Sequence, residues 1–158
     1  MSLLKHKHLI VRAEVLRPPS DETLASEQVS NLIDGLGMKI LLGPYAKYVH
    51  LEGNKGLTVA TVIETSHVVM HTWDESDPAV IQLDVYTCGD LDPQIVFDWL
   101  AQYQPIKKQF KYLDREFDLV EQPVKDMTDT RQGRFTTQEL VQATNDLLNS
   151  NLKSRLNS

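Results

Sequence analysis

Reactive side chains crowd one short stretch of this chain. Ser66, His67, His71, Trp73, Glu75, Asp84 and Cys88 fall within 23 residues, which hold two of the five histidines and the only cysteine. A serine hydroxyl near imidazoles suits nucleophilic chemistry, because neutral imidazole is the usual proton acceptor near pH 7. A thiol of unperturbed pKa ~8.5 suits proton donation in the same range. An indole face suits a flat or cationic ligand through its ring quadrupole. A carboxylate such as Glu75 offers acceptor oxygens. The plain alternative is that each is an ordinary strand residue, the commoner lot of a lone histidine or buried cysteine. His67 and His71 have the spacing of a helical metal pair, but their segment reads as strand, so no metal ligand is assigned.

Those residues need strands to hold them. Residues 57–65, 66–73 and 80–88 are β-rich runs, and residues 74–78 form a turn by composition. Residues 8–16 read as a first strand, broken by Arg17-Pro18-Pro19-Ser20-Asp21. Ser20 or Asp21 caps a helix whose stripe is Leu24, Ala25, Val29, Leu32, Ile33 and Leu36, with Gly37 in the left-handed position after it. Residues 38–42 and 45–51 are separate short runs, divided by Gly43-Pro44. Asp92 and Pro93 start a second helix carrying Ile95, Val96, Trp99, Leu100 and Tyr103, and Pro105 ends it. Residues 107–120 read as a last strand pair or one long exposed strand at an edge. This order predicts an α+β two-layer sandwich: a mainly antiparallel sheet with helices on one face. Residues 1–120 make the main domain, 121–135 a polar linker, and 136–158 an appended amphipathic helix with a frayed tail.

The chain has 158 residues, 16 basic and 22 acidic, for a formal charge of −6. That balance disfavours nucleic acid as a partner. No run approaches the ~20 apolar residues of a membrane span. Residues 1–8 lack an apolar leader stretch, so the expected place is the cytoplasm, with no membrane partner. A single cysteine excludes an internal disulfide and zinc sites of two or more thiolates.

Two stretches carry a family likeness. Thr65-Ser66-His67-Val68-Val69-Met70-His71-Thr72-Trp73-Asp74-Glu75 is followed by Asp84-Val85-Tyr86-Thr87-Cys88-Gly89. In order and at this distance they resemble the bacterial and archaeal S-adenosylmethionine decarboxylase proenzymes, over roughly residues 8–120. The resemblance implies self-cleavage between Thr65 and Ser66, with Ser66 becoming a pyruvoyl cofactor. It implies a keto group that forms a Schiff base with the substrate amine and draws electrons as carbon dioxide leaves. By position, His71 matches the histidine that removes the α-proton during cleavage, and Thr58 a hydroxyl that assists the acyl shift. Cys88 matches the acid that reprotonates the substrate carbon. Trp73 matches the aromatic that stacks on adenine, and Glu75 the carboxylate that takes the ribose hydroxyls. The implied substrate is S-adenosylmethionine, the product an aminopropyl donor for spermidine synthesis, and the implied assembly a homodimer whose sites are shared between protomers.

The sequence departs from the family pattern in places. Thr65 stands where the family has glutamate, which is displaced to Glu64. The second aromatic wall of the adenine slot falls near Leu51 or Glu52, with Tyr48 the nearest ring, and Asp74 replaces a proline. A regular strand puts Ser66 and His71 on opposite faces. A bend or bulge near the cut is therefore expected, and regular pairing from residue 62 through 72 would count against self-cleavage. Two alternatives stay open: an unprocessed homologue that binds a ligand or regulates a partner enzyme, and a pyruvoyl-dependent ornithine or arginine decarboxylase.

Overall fold

The computed structural model describes residues 4–129. Seven strands form a single antiparallel sheet: β1 (Lys7–Val15), β2 (Ile40–Val49), β3 (Gly56–Ile63), β4 (Ser66–Trp73), β5 (Ala79–Thr87), β6 (Pro105–Asp114) and β7 (Val120–Glu121). Their order is β2-β3-β4-β5-β1-β6-β7. Two helices, α1 (Glu22–Gly35) and α2 (Pro93–Leu100), complete the α+β sandwich. Residues up to Lys125 form one compact unit. The helix read over residues 136–158 and most of the polar linker lie outside the described residues.

Alternation along the strands decides which face is covered. Leu9, Val11, Ala13 and Val15 of β1, Val68 and Met70 of β4, and Ile81, Leu83 and Val85 of β5 are buried on one face. Val29, Leu32 and Ile33 of α1 and Val96, Phe97 and Leu100 of α2 join the same core. Burying each such side chain stabilises the fold by about 1.5–3 kcal/mol before the entropy of ordering is counted. Trp99 Nε1 donates to the Gln28 carbonyl at 2.7 Å, and the Tyr103 hydroxyl donates to Gln28 Oε1 at 2.8 Å, which ties the helices side by side. The opposite face carries the other half of each alternation: Thr58, His67, Val69, His71, Trp73, Gln82 and Asp84.

Local chemistry sets both ends of α1 and the start of α2 as read, whereas α2 stops at Leu100 and Tyr103 lies in a following 3-10 turn, Ala101–Tyr103. Asp21 accepts from the Leu24 amide at 2.7 Å, Asp92 accepts from the Gln94 amide at 2.9 Å, and Gly37 has φ +70°. One break was over-read. Gly43-Pro44 does not divide two elements, because β2 runs through it with register shifts between Ile40 and Tyr45. β2 is the outermost strand, where a missing N–H and a bulge disturb a single ladder. Residues 107–120 resolve into the strand pair β6–β7 rather than one long strand.

Candidate active site

The β3–β4 hairpin holds most of the candidate residues. Its ladder runs from Ile63↔Ser66 to Thr58↔His71 without a slip. Glu64 and Thr65 form the turn, and Thr65 sits at φ +59°. Two-residue hairpin turns call for positive φ, which a β-branched threonine adopts at a cost of about 1 kcal/mol or more. The bulge expected near the cut is absent. β4 is paired in continuous register with β3 on one side and β5 on the other, so an extra residue would break two ladders. The irregularity lies in the turn instead.

The regular strand separates two groups. Ser66 is buried on the helix-covered face, while His71 is half-buried on the other. Five steps of ~3.3 Å put their Cα atoms roughly 16 Å apart, beyond the reach of an imidazole.

The first group gathers at the turn. The Ser66 hydroxyl donates to the Glu64 carbonyl at 3.3 Å. The Cys88 thiol, just past the end of β5, donates to the same oxygen at 2.9 Å. The Glu64 amide donates to the Lys39 carbonyl at 3.0 Å, which fixes the turn from β2's side. Ser66 and Cys88 are thus brought together at the Glu64–Thr65 peptide, one residue before the expected cut.

The second group lies on the opposite face. His71 Nδ1 and Thr58 Oγ1 are 3.0 Å apart, and the His71 and Trp73 ring centres are 6.1 Å apart. Trp73 Nε1 donates to Asn54 Oδ1 at 2.9 Å. A cavity of about 260 Å³ is lined by Asn54, Gly56, Thr58, His71 and Trp73, among others. Gly56 is required there: a Cβ would stand 1.8 Å from the Thr72 carbonyl oxygen. A wider recess of about 620 Å³ beside Asp21, Tyr48 and His50 contains none of the candidate catalytic residues.

Glu75 is engaged by the β2–β3 loop. It accepts from the Gly53 amide at 3.0 Å and the Lys55 amide at 3.3 Å. The Gly53 amide, followed by Lys55, holds its carboxyl below the usual carboxylate range. The Tyr48 hydroxyl donates to both oxygens of Asp74 at 2.8 Å, and that contact pushes its own ionisation up. Tyr48 is therefore fastened to the segment that carries Trp73 and Glu75.

His67 joins a third group. Its Nε2 and the His8 Nε2 approach Asp84 Oδ1 at 2.9 and 2.8 Å. Arg115 donates to His8 Nδ1 at 3.1 Å, so His8 carries its proton on Nε2 and donates to Asp84. His8, above all, holds the Asp84 carboxyl below its ordinary range, with His67 adding to the effect. A cavity of about 290 Å³ lies between His67, His71 and Asp84. The sequence reading missed His8, Asn54 and Arg115 and gave Asp84 no role. The one signal was a histidine and an aspartate within strands otherwise rich in branched aliphatics.

The S-adenosylmethionine decarboxylase family model matches residues 7–116. The S-adenosylmethionine decarboxylase proenzyme of Pyrobaculum arsenaticum is 45% identical over 64 residues, which is 39% of this chain and 50% of the relative. That of Pyrobaculum aerophilum is 44% identical over 62 residues, 38% of this chain and 48% of the relative. The chain thus spans about half the length of the curated relatives it matches. The crystal structure of the adenosylmethionine decarboxylase from Aquifex aeolicus superposes with a TM-score of 0.56 at 19% identity, covering 79% of this chain and 100% of that one. At that identity the likeness concerns the fold. No helix among the described residues is long and apolar enough to cross a membrane.

Proposed function

We propose that this chain, which belongs to the S-adenosylmethionine decarboxylase family, cleaves itself between Thr65 and Ser66 and decarboxylates S-adenosylmethionine, yielding an aminopropyl donor for polyamine synthesis. The observation that carries the reading is the meeting of the Ser66 hydroxyl and the Cys88 thiol on the Glu64 carbonyl, beside a left-handed Thr65. That turn suits a pyruvoyl group: Ser66 is the first residue of its strand, so cleavage before it falls at the end of the β4 ladder.

The processing chemistry balances on the chain's own atoms and one water. Ser66 Oγ bonds to the Thr65 carbonyl carbon as the amide C–N bond breaks, and the hydroxyl proton passes to the freed nitrogen. Loss of the Ser66 α-proton then breaks the Cβ–Oγ bond. Residues 1–65 leave with a carboxylate on Thr65. Water replaces ammonia at residue 66 and leaves a ketone. The pyruvoyl group supplies an electron sink while carbon dioxide departs. Cys88 is the acid that returns a proton to the substrate carbon in this reading.

His71 cannot be the base for Ser66 in its own chain, given the roughly 16 Å between them along the strand. A shared site resolves this. One protomer of a homodimer supplies Ser66 and Cys88, and its partner supplies the base together with its hydroxyl and the adenine wall. Within each chain the Thr58 contact orients His71 through Nδ1 and leaves Nε2 for proton transfer. Trp73 stacks on adenine, and Glu75 takes the ribose hydroxyls once it leaves Gly53 and Lys55.

The regular β3–β4 ladder and Thr65 also favour a second reading, an unprocessed homologue that binds a ligand or regulates a partner. Carbon dioxide release from labelled S-adenosylmethionine by the parent and by Ser66→Ala decides between them. Activity in the parent alone supports the enzyme, and no release from either supports the binding protein. An ornithine or arginine assay run alongside checks the substrate.

A further inference from the structure

We propose that His8, His67 and Asp84 form a binding site for a borderline first-row divalent cation of the Zn²⁺ type, closed in the metal-free protein by Arg115. The three side chains come from β1, β4 and β5, which are adjacent in the sheet. Tyr86 of β5 is flanked in register by His8 and His67, and Asp84 lies two residues along β5 on the same face. One ligand atom from each of the three lies within 4.8 Å of the others.

The donor set and spacing fit such an ion. Two imidazole nitrogens and one carboxylate oxygen suit zinc, cobalt or nickel, whereas magnesium and calcium prefer oxygen ligands throughout. Ligand atoms at 2.0–2.1 Å around a tetrahedral zinc stand roughly 3.3 Å apart. The two nitrogens lie 2.8 and 2.9 Å from Asp84 Oδ1, so the ion requires an opening of about half an ångström along each contact. His67 and Asp84 each leave 41% of the side chain exposed, and water completes the coordination.

Arg115 makes the site conditional. Its guanidinium donates to His8 Nδ1 at 3.1 Å and lies 4.3 Å from the centre of the Tyr86 ring. That donor fixes the His8 proton on Nε2, the nitrogen a cation would need. Binding therefore moves the proton to Nδ1, and Nδ1–H then faces Arg115, a second donor. Metal-bound histidines normally present that N–H to an acceptor. Arg115 must swing away, so it opposes the metal both by hydrogen-bond polarity and by charge.

The test is calorimetric titration of full-length, chelator-treated protein with ZnCl₂, repeated with CoCl₂ while the cobalt absorption bands are followed. The expected result is one saturable site per chain, no matching uptake of Mg²⁺, and at least ~10-fold weaker binding in His67→Ala and in Asp84→Asn, the scale of a lost ligand or ligand support. Arg115→Gln is expected to bind several-fold more tightly, and it serves as the gain-of-affinity variant if a ligand variant misfolds. Absence of saturable uptake overturns the proposal. So does uptake that survives both ligand substitutions, or an affinity unchanged in Arg115→Gln.

Discussion

Cys88 reaches the Glu64 carbonyl across 2.9 Å, joining the end of β5 to the hairpin turn before Ser66. The thiol is thereby held one peptide before the bond that the chain is proposed to cut, while the hydroxyl of Ser66 shares its acceptor. In the proposed mechanism self-cleavage needs the serine, and product protonation needs the thiol. Cys88→Ala is expected to retain cleavage and to lose ~10²–10⁴-fold in the rate of carbon dioxide release, the usual span for a general acid. Electrophoresis and a labelled-substrate assay on one preparation separate the two effects.

A site divided between copies has a quantitative signature. Ser66→Ala and His71→Ala chains are each expected to be inactive alone. Produced together in equal amounts, half of the dimers are mixed, and each mixed dimer has one intact site, so roughly a quarter of the parental activity returns. If co-production gives no recovery, the shared site is wrong.

Strand parity was legible in the sequence, but its consequence was not. Alternation from residue 66 to 73 placed Ser66 and His71 on opposite faces, as the ladder has them. A bulge was expected to reconcile them, because a sequence does not tell whether one or both sides of a strand are paired. With β3 and β5 both in register, β4 has no room for one. Helix α1 was readable because its cap, its apolar spacing and its left-handed terminator are local signals. The His8–Asp84 contact joins residues 76 positions apart and exists only because β1 returns beside β5, which no local pattern announces.

Gly56 sets how closely β3 approaches the strand bearing His71 and Trp73. An added methyl would meet the Thr72 carbonyl at 1.8 Å. Gly56→Ala is expected to destabilise the fold by about 3 kcal/mol, the upper part of the usual range for overpacking. Urea unfolding measures the stability, and tryptophan fluorescence in a Trp99→Phe background reports the displacement of Trp73.

Asp84 gives the protein an acid limb. Its carboxyl ionises at lower pH in the folded chain than unfolded, through His8 first and His67 second. The folded state therefore binds fewer protons, and stability from this group is present above the ordinary carboxylate pKa. It is lost as pH falls through the depressed folded value. Urea midpoints measured from pH 6 downward are expected to fall less steeply in Asp84→Asn than in the parent. Parallel curves would show that Asp84 is not coupled to folding.

The most direct measurement is the intact mass of the purified protein under denaturing conditions. Two chains are expected, residues 1–65 and residues 66–158, whose masses sum to the precursor plus one water less one ammonia. The longer chain should begin with a ketone that borohydride reduces. A single uncut chain with Ser66 unmodified would contradict self-cleavage.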